Sequence, residues 1–267
     1  MKFEEIIQHF EATDVGKVRD NNEDSYRVFD IVDDGVGQAD RGAMLVVADG
    51  MGGHAGGERA SQLACQIMAD YFVEDIDAES DADAAILNLL KETILRANSK
   101  ILAEAKSNYK FYNMGTTLTA AVIHGEKMYI GHVGDSRAYL FRNNQFVPNP
   151  ETGTNFLTED DTEVAELIKM GRLTPERAAT SKRRHVLTQA LGSERPIHVF
   201  TRSYPLQRGD VILLCSDGLY SMVPETEIAD VLKTTPESGL EEAAQKLVSL
   251  ANTNGGKDNI TVIIGMI

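Results

Sequence analysis

"MLVVADGMGGHAGG", residues 44–57, carries an apolar run straight into Asp49 and then sets five glycines in the eight positions that end at Gly57. Aliphatic and β-branched residues bounded by turn formers read as a buried strand, and a helical apolar period over residues 58–72 follows. An Asp-Gly pair after a strand ordinarily closes a hairpin. Here the chain passes into a glycine loop and then a helix, so Asp49 serves something other than a tight turn.

Other strand-like runs end the same way. "VILLCSDG" ends at Asp217-Gly218, "YIGHVGDS" reaches Asp135, "NGGKDNITV" sets Asp258 just ahead of the final strand, and Glu23-Asp24 precedes "SYRVF". Carboxylates gathered at one edge of a sandwich repel one another and lose hydration, a cost that bound cations offset. Mg²⁺ and Mn²⁺ suit that role, since they take oxygen ligands in octahedral array and keep several waters. The six histidines are scattered with no helical pair, which leaves a zinc site of the histidine type unsupported. In this reading Asp49 bridges two ions, Gly50 offers its carbonyl, and the glycines admit close backbone and a hydrated substrate.

Strand character marks residues 43–48, 116–123, 127–132, 138–142, 198–204, 211–215 and 260–264, while helical periodicity marks 58–72, 82–105, 162–170, 226–232 and 240–252. Gly125-Glu126 and Arg142-Asn143-Asn144 are short polar breaks of the hairpin kind, so residues 116–147 are expected to form an antiparallel meander. This is not the regular strand-helix alternation of a doubly wound sheet. The expected class is α+β: an antiparallel two-sheet β-sandwich flanked by α-helices on both faces, each sheet having an apolar face to bury. Residues 150–195 are polar, helical in parts and poor in strand pattern, and read as an insertion over the core.

Composition bounds the function. With 267 residues and 42% hydrophobic content the chain can bury a sizeable core, and residues 1–267 are expected to form one domain. A net charge of −15 argues against a nucleic-acid partner, because phosphate backbones are held by clustered Lys and Arg. The one basic run, Lys182-Arg183-Arg184-His185, reads as a solvated face that could attract an anionic segment of a substrate. "MKFEEIIQHFEATD" carries acids where a signal peptide would be positive, and no stretch approaches the ~18 apolar residues of a membrane span. A cytoplasmic protein with no membrane partner is expected. Cys65 and Cys215 lie in apolar patterns and read as buried thiols.

The residues also carry a resemblance. Thr13-Asp14, Gly16, Arg19, Asn22-Glu23-Asp24, then Asp49-Gly50-Met51-Gly52-Gly53-His54, Gly115-Thr116-Thr117, Gly134-Asp135-Ser136-Arg137, Ser216-Asp217-Gly218-Leu219 and Lys257-Asp258-Asn259 occur in the order seen in metal-dependent serine/threonine protein phosphatases (PPM, type 2C). The chain resembles the bacterial members along essentially its whole length. The resemblance implies two core Mn²⁺ or Mg²⁺ ions held by Asp49, Asp217, Asp258 and the Gly50 carbonyl, with Asp24 and Glu23 acting partly through coordinated water. Asp135 would help hold a third, weaker ion together with Asp217, and Arg19 would grip the phosphate, a task its planar fork suits. Asp49, Asp217 and Arg19 form the implied catalytic set. The implied reaction is attack of a metal-bridging hydroxide on phosphoserine or phosphothreonine with no phosphoenzyme. Phosphorylated substrates of a serine/threonine kinase, and a monomeric enzyme, complete what the resemblance implies.

This sequence departs from the pattern twice. Many eukaryotic members have a histidine after Asp-Gly that is proposed to protonate the leaving group; Met51 stands there and cannot donate a proton, and His54 reads as a loop histidine bonded to backbone. The general acid is left unassigned, water on the third ion being one alternative. The 150–195 insertion resembles the flap of bacterial members, with Asp161 where those commonly have histidine.

Rival readings are weaker. Gly50-x-Gly52-x-x-Ala55 formally fits a dinucleotide fingerprint, but Asp49 would repel the pyrophosphate and no second parallel strand ends in an acid at the expected distance of about 20 residues. Gly134-Asp135-Ser136 is followed by strand-like "RAYLFR" rather than the helix of a serine-hydrolase elbow. Neither cysteine has the arginine six residues later that a cysteine phosphatase needs. The serious alternative is a catalytically silent phosphatase-like domain that binds a phosphoprotein or regulatory partner.

Overall fold

The computed structural model describes residues 7–29, 42–53, 55–72 and 82–267. Among the described residues eleven strands form two antiparallel sheets. One sheet runs β1 (Gln8–Asp14), β11 (Ile260–Met266), β10 (Val211–Cys215), β7 (Arg137–Arg142), β8 (Gln145–Phe146). The other runs β2 (Asp24–Phe29), β3 (Ala43–Met51), β5 (Leu118–His124), β6 (Lys127–Val133), β9 (Phe200–Pro205), with β4 (Gly115–Thr116) pairing to the end of β3.

Side-chain alternation explains the layering. In β3, Leu45 and Val47 face the other sheet and meet Leu140, Ile212 and Ile263, while Met44, Val46 and Ala48 face outward beneath α1 (Ala55–Ile67) and α2 (Ala82–Ser107). On the opposite side, Leu213, Val262 and Ile264 lie under α6 (Glu225–Ser238) and α7 (Leu240–Thr253). Both faces of each sheet are thus buried, the condition that makes these strands read as continuous apolar runs. The expected α+β sandwich with helices on both faces is the architecture found.

The meander is not. Residues 118–133 form the β5–β6 hairpin and Asn143-Asn144 turns β7 into β8, but β6 and β7 do not pair. β6 pairs instead with β9, and β7 with β10. Between them the chain crosses from one sheet to the other through Gly134-Asp135-Ser136. Gly134 turns there at φ +110, and a Cβ at this position would strike the Thr117 side chain, so only glycine fits. A three-residue polar break that looks like a hairpin turn is therefore a sheet-to-sheet crossover, and it carries Asp135.

Smaller differences follow physical causes. β1 was not among the expected strands: it is an edge strand whose exposed face makes its polarity irregular. Helix α6 continues past residue 232 to Ser238 although Pro236 sits in its last turn, where it forgoes one backbone hydrogen bond. Between β8 and β9 lie only two short helices, α3 (Glu163–Lys169) and α4 (Pro175–Ala179), and isolated bridges at Phe156, Leu187 and Leu191. The remaining short helix, α5 (Asp217–Tyr220), follows β10 directly.

Candidate active site

All the acids singled out above lie at one end of the sandwich. Asp24 opens β2 and stands directly opposite Asp49 in the β2–β3 register, a position in which Cβ atoms are ~5 Å apart and like charges destabilise. Asp217 begins α5 just after β10, Asp258 just precedes β11, and Asp135 occupies the crossover.

Each backbone is fixed by local bonds. The Asp49 N–H donates to Thr117 Oγ1 (3.0 Å), and the Asp49 carbonyl accepts from the Thr117 N–H (2.9 Å) and the Thr116 hydroxyl (2.9 Å). Thr117 Oγ1 in turn lies 2.8 Å from Ser136 Oγ, so β3 is tied to the crossover. The Tyr220 hydroxyl donates to the Asp135 carbonyl at 2.8 Å. A Cβ on Gly218 would overlap the Asn259 carbonyl, which is why α5 can press directly on the turn that carries Asp258. A Cβ on Gly50 would overlap the Gly57 and Glu23 carbonyl oxygens, and one on Gly57 would overlap Glu23 Oε2. The glycines therefore bring Glu23 against the first turn of α1, where the helix dipole favours a carboxylate.

Burial governs the electrostatics. It pushes the Asp24 carboxyl up to about 7; hydrogen bonds from Thr261 and Ser216 oppose the shift, and the charges of Asp217 and Asp258 add to it. Asp49 is held well above the ordinary carboxylate range by burial, then by Asp24, Asp217, Asp135 and Asp258. Asp135 is likewise raised, by burial and by Asp217 and Asp160. The Arg19 guanidinium offsets part of this, its Nη2 donating to Asp258 Oδ2 at 2.7 Å, and His185 Nδ1 lies 2.9 Å from Asp217 Oδ2.

Some of these residues were not assigned roles from sequence. Asn259, though part of the Lys257-Asp258-Asn259 motif, proves to be the knot of the β1–β2 loop: its Oδ1 accepts the Glu23 N–H (2.8 Å) and its Nδ2 donates to the Val15 and Asn21 carbonyls (2.9 Å each). His185, part of the basic run expected to be a solvated face, instead reaches the acids, and its ligand atom lies within 4.8 Å of those of Asp135 and Asp217. Asp161 has a structural partner: its Oδ2 accepts the Gly134 N–H (2.8 Å) and its own N–H donates to the Gly134 carbonyl (2.7 Å). The Met51 side chain is exposed at the end of β3. His54 lies outside the described residues.

The donor set fits hard divalent cations. Asp24 Oδ1 is buried without a hydrogen-bond partner, although Oδ2 accepts the Ser216 hydroxyl at 2.8 Å. An orphaned carboxylate oxygen among carboxylates that raise one another's pKa is what a missing positive charge leaves behind. Apart from His185 the donors are all oxygens, which favours Mg²⁺ or Mn²⁺ over softer metals.

A family model described as Protein phosphatase 2C matches residues 21–252. The chain belongs to the protein phosphatase 2C family. This phosphatase is 38% identical to the serine/threonine phosphatase stp of Listeria welshimeri over 252 residues, 94% of this chain and 92% of the relative. It superposes on a Streptococcus agalactiae serine/threonine phosphatase with a TM-score of 0.84 at 32% identity, covering 98% of this chain and 100% of the other. The catalytic domain of the phosphatase PstP, solved in complex with two manganese ions, gives a TM-score of 0.77 at 33% identity over 97% of both chains. The protein is a metal-dependent serine/threonine protein phosphatase. Among its described residues no helix is long and apolar enough to cross a membrane.

Proposed function

We propose that this phosphatase hydrolyses phosphoserine and phosphothreonine in protein substrates at the acidic end of the sandwich, using Mn²⁺ or Mg²⁺. The observation that carries the reading is the Asp24–Asp49 pair, Asp24 buried and Asp49 half-buried, beside Asp135, Asp217 and Asp258, with Asp24 Oδ1 left unpartnered. Asp49, Asp217, Asp258 and the Gly50 carbonyl would hold two core ions, with Asp24 and Glu23 acting partly through coordinated water. Asp135 and Asp217 would hold a third, weaker one. When bound, such ions lower the pKa of water and neutralise charge on phosphoryl oxygens.

The chain's own groups do the rest. Arg19 is half exposed beside Asp258, and its planar fork would bind two phosphoryl oxygens and orient phosphorus for attack. Asp49, fixed through three backbone and threonine bonds, gives the site its rigidity. Ser136 is fully buried against Thr117, and burial pushes the Cys65 and Cys215 thiols up to about 12, which makes all three poor nucleophiles. In this reading water would be the attacking group and no phosphoenzyme would form.

Its substrates would be phosphoproteins made by a serine/threonine kinase in the cytoplasm, acted on by a monomer without nucleic-acid or membrane partners; net charge −15 and two buried free cysteines support this. The test is phosphate release from p-nitrophenyl phosphate and a phosphothreonine peptide with Mn²⁺, with Mg²⁺ and with chelator. Turnover that requires metal is expected. Binding of the phosphopeptide with no turnover under any metal would make the domain a silent binder, and turnover indifferent to chelator would refute the metal mechanism.

A further inference from the structure

Charge is distributed unevenly along this acidic chain. Between residues 167 and 193 there are six Lys and Arg and a single acid, Glu176, in a protein whose acids outnumber its bases 41 to 26. Arg183 is neutralised by Glu163, and Lys169 by Glu159. Arg172, Arg177, Lys182 and Arg184 have no carboxylate partner among the described residues. The same segment exposes Leu167, Met170 and Val186. Unpaired cations beside exposed apolar side chains form a surface suited to an acidic peptide.

The fold fixes where this surface lies. The segment leaves the core at Asp161, which is clamped to Gly134, and returns at Thr188, whose N–H donates to the Asp161 carbonyl at 2.8 Å. On the return it delivers His185 to Asp217. Residues 182–185 form a turn in which the Arg184 N–H donates to the Ser181 carbonyl, so Lys182 and Arg184 closely precede the residue that touches the metal-site acid and their long side chains extend the cationic surface outward from it. In an extended peptide, side chains two to four residues from the phosphorylated one lie about 7–13 Å from it, the zone such flanking cations would serve.

We propose that Lys182 and Arg184, in a segment that also carries Arg172 and Arg177, form a second-anion subsite. It selects phosphopeptides carrying a negative group two to four residues from the phosphorylated residue. The proposal rests on the phosphatase reading above and adds its substrate class: acid-flanked or multiply phosphorylated segments. The cationic flap offsets the repulsion that an acidic enzyme surface imposes on such substrates.

The test compares phosphothreonine peptides identical except at the flanking positions, which hold Gln, Glu or a second phosphothreonine. The enzymes are the wild type, Lys182→Ala/Arg184→Ala and Lys182→Arg/Arg184→Lys, each loaded with Mn²⁺. For the wild type, kcat/KM is expected to be about tenfold higher for anionic flanks, through KM, with the advantage declining at high salt. The alanine pair should reduce that advantage to about twofold while leaving p-nitrophenyl phosphate turnover unchanged, and the charge-conserving pair should retain it. The Glu and phosphothreonine arms separate a carboxylate from a phosphate as the preferred group. Equal wild-type kcat/KM on all three peptides would overturn the subsite, as would sedimentation of the wild type with phosphatidylserine vesicles but not of the alanine pair in the absence of a peptide preference. Failure to turn over p-nitrophenyl phosphate would instead strike the underlying phosphatase reading.

Discussion

Asp24 concentrates the physics of the site in one side chain. Its carboxyl is raised to about 7 by burial, so the native state holds its proton more tightly than the unfolded chain does. Between its ordinary value of 3.8 and about 7 the native form therefore carries the extra proton, and each rise in pH through that window lowers native stability. Thermal melts of chelated protein at pH 5 and pH 8 should show the wild type losing stability relative to Asp24→Asn as pH rises; parallel behaviour would remove the cause assigned here. Asp217 differs in being adjacent to both Asp135 and His185. Asp217→Asn should keep the fold, as judged by circular dichroism, yet lower kcat by about 100-fold or more, as loss of a charge used in the transition state does; near wild-type turnover would contradict its role. At this scale the sequence was informative wherever an acid ended an apolar run, because a strand that closes on Asp-Gly and then enters a helix has no use for a turn. It was silent on His185 and on the partner of Asp161, since both contacts depend on the path of a long segment and not on any local pattern.

The crossover at Gly134-Asp135-Ser136 is the element on which the site's geometry turns. It is held by Thr117 on one side and by Asp161 on the other, with His132 Nε2 donating to the Gly134 and Glu159 carbonyls (3.1 Å each). Arg137, which follows it, stacks between the Phe156 and Tyr220 rings and forks onto Asp160, so the outgoing end of the flap segment is pinned to β7. Asp161→Ala would orphan the Gly134 N–H and should cost about 1–3 kcal/mol by chemical denaturation. Asp161→Asn, which keeps an acceptor, should recover most of that loss, and an alanine variant as stable as wild type would show the clamp to be idle. The expected meander failed at this same place. Strand identity and approximate ends were legible from apolar runs, but a short polar break gives no sign of whether the next strand pairs with the last or crosses to another sheet. That choice was made by remote partners: β9 already occupies the free edge of β6, and β10 accepts β7.

For the molecule as a whole, the layered α+β class was legible because both faces of each sheet are covered and the amphipathic helices occur in sequence blocks. The unequal distribution of charge was less so, being meaningful only once the flap's anchor points were known. Mn²⁺ at about 100 times its dissociation constant should add ~2.7 kcal/mol to native stability for a single site, or roughly 5–10 °C for a domain of this size. Scanning calorimetry of chelated and Mn²⁺-loaded protein measures it directly, and an unchanged transition temperature would count against a built cation site. One consequence of the topology reaches beyond catalysis. Asp24 and Asp49 belong to one leaf of the sandwich, Asp217 and Asp258 to the other, and Ser216 already bonds across the seam to Asp24. Any ion gripped by all four would rivet the leaves together at their open end. Losing it would let that end breathe, and faster amide hydrogen–deuterium exchange would spread inward from the mouth along β2 and β11.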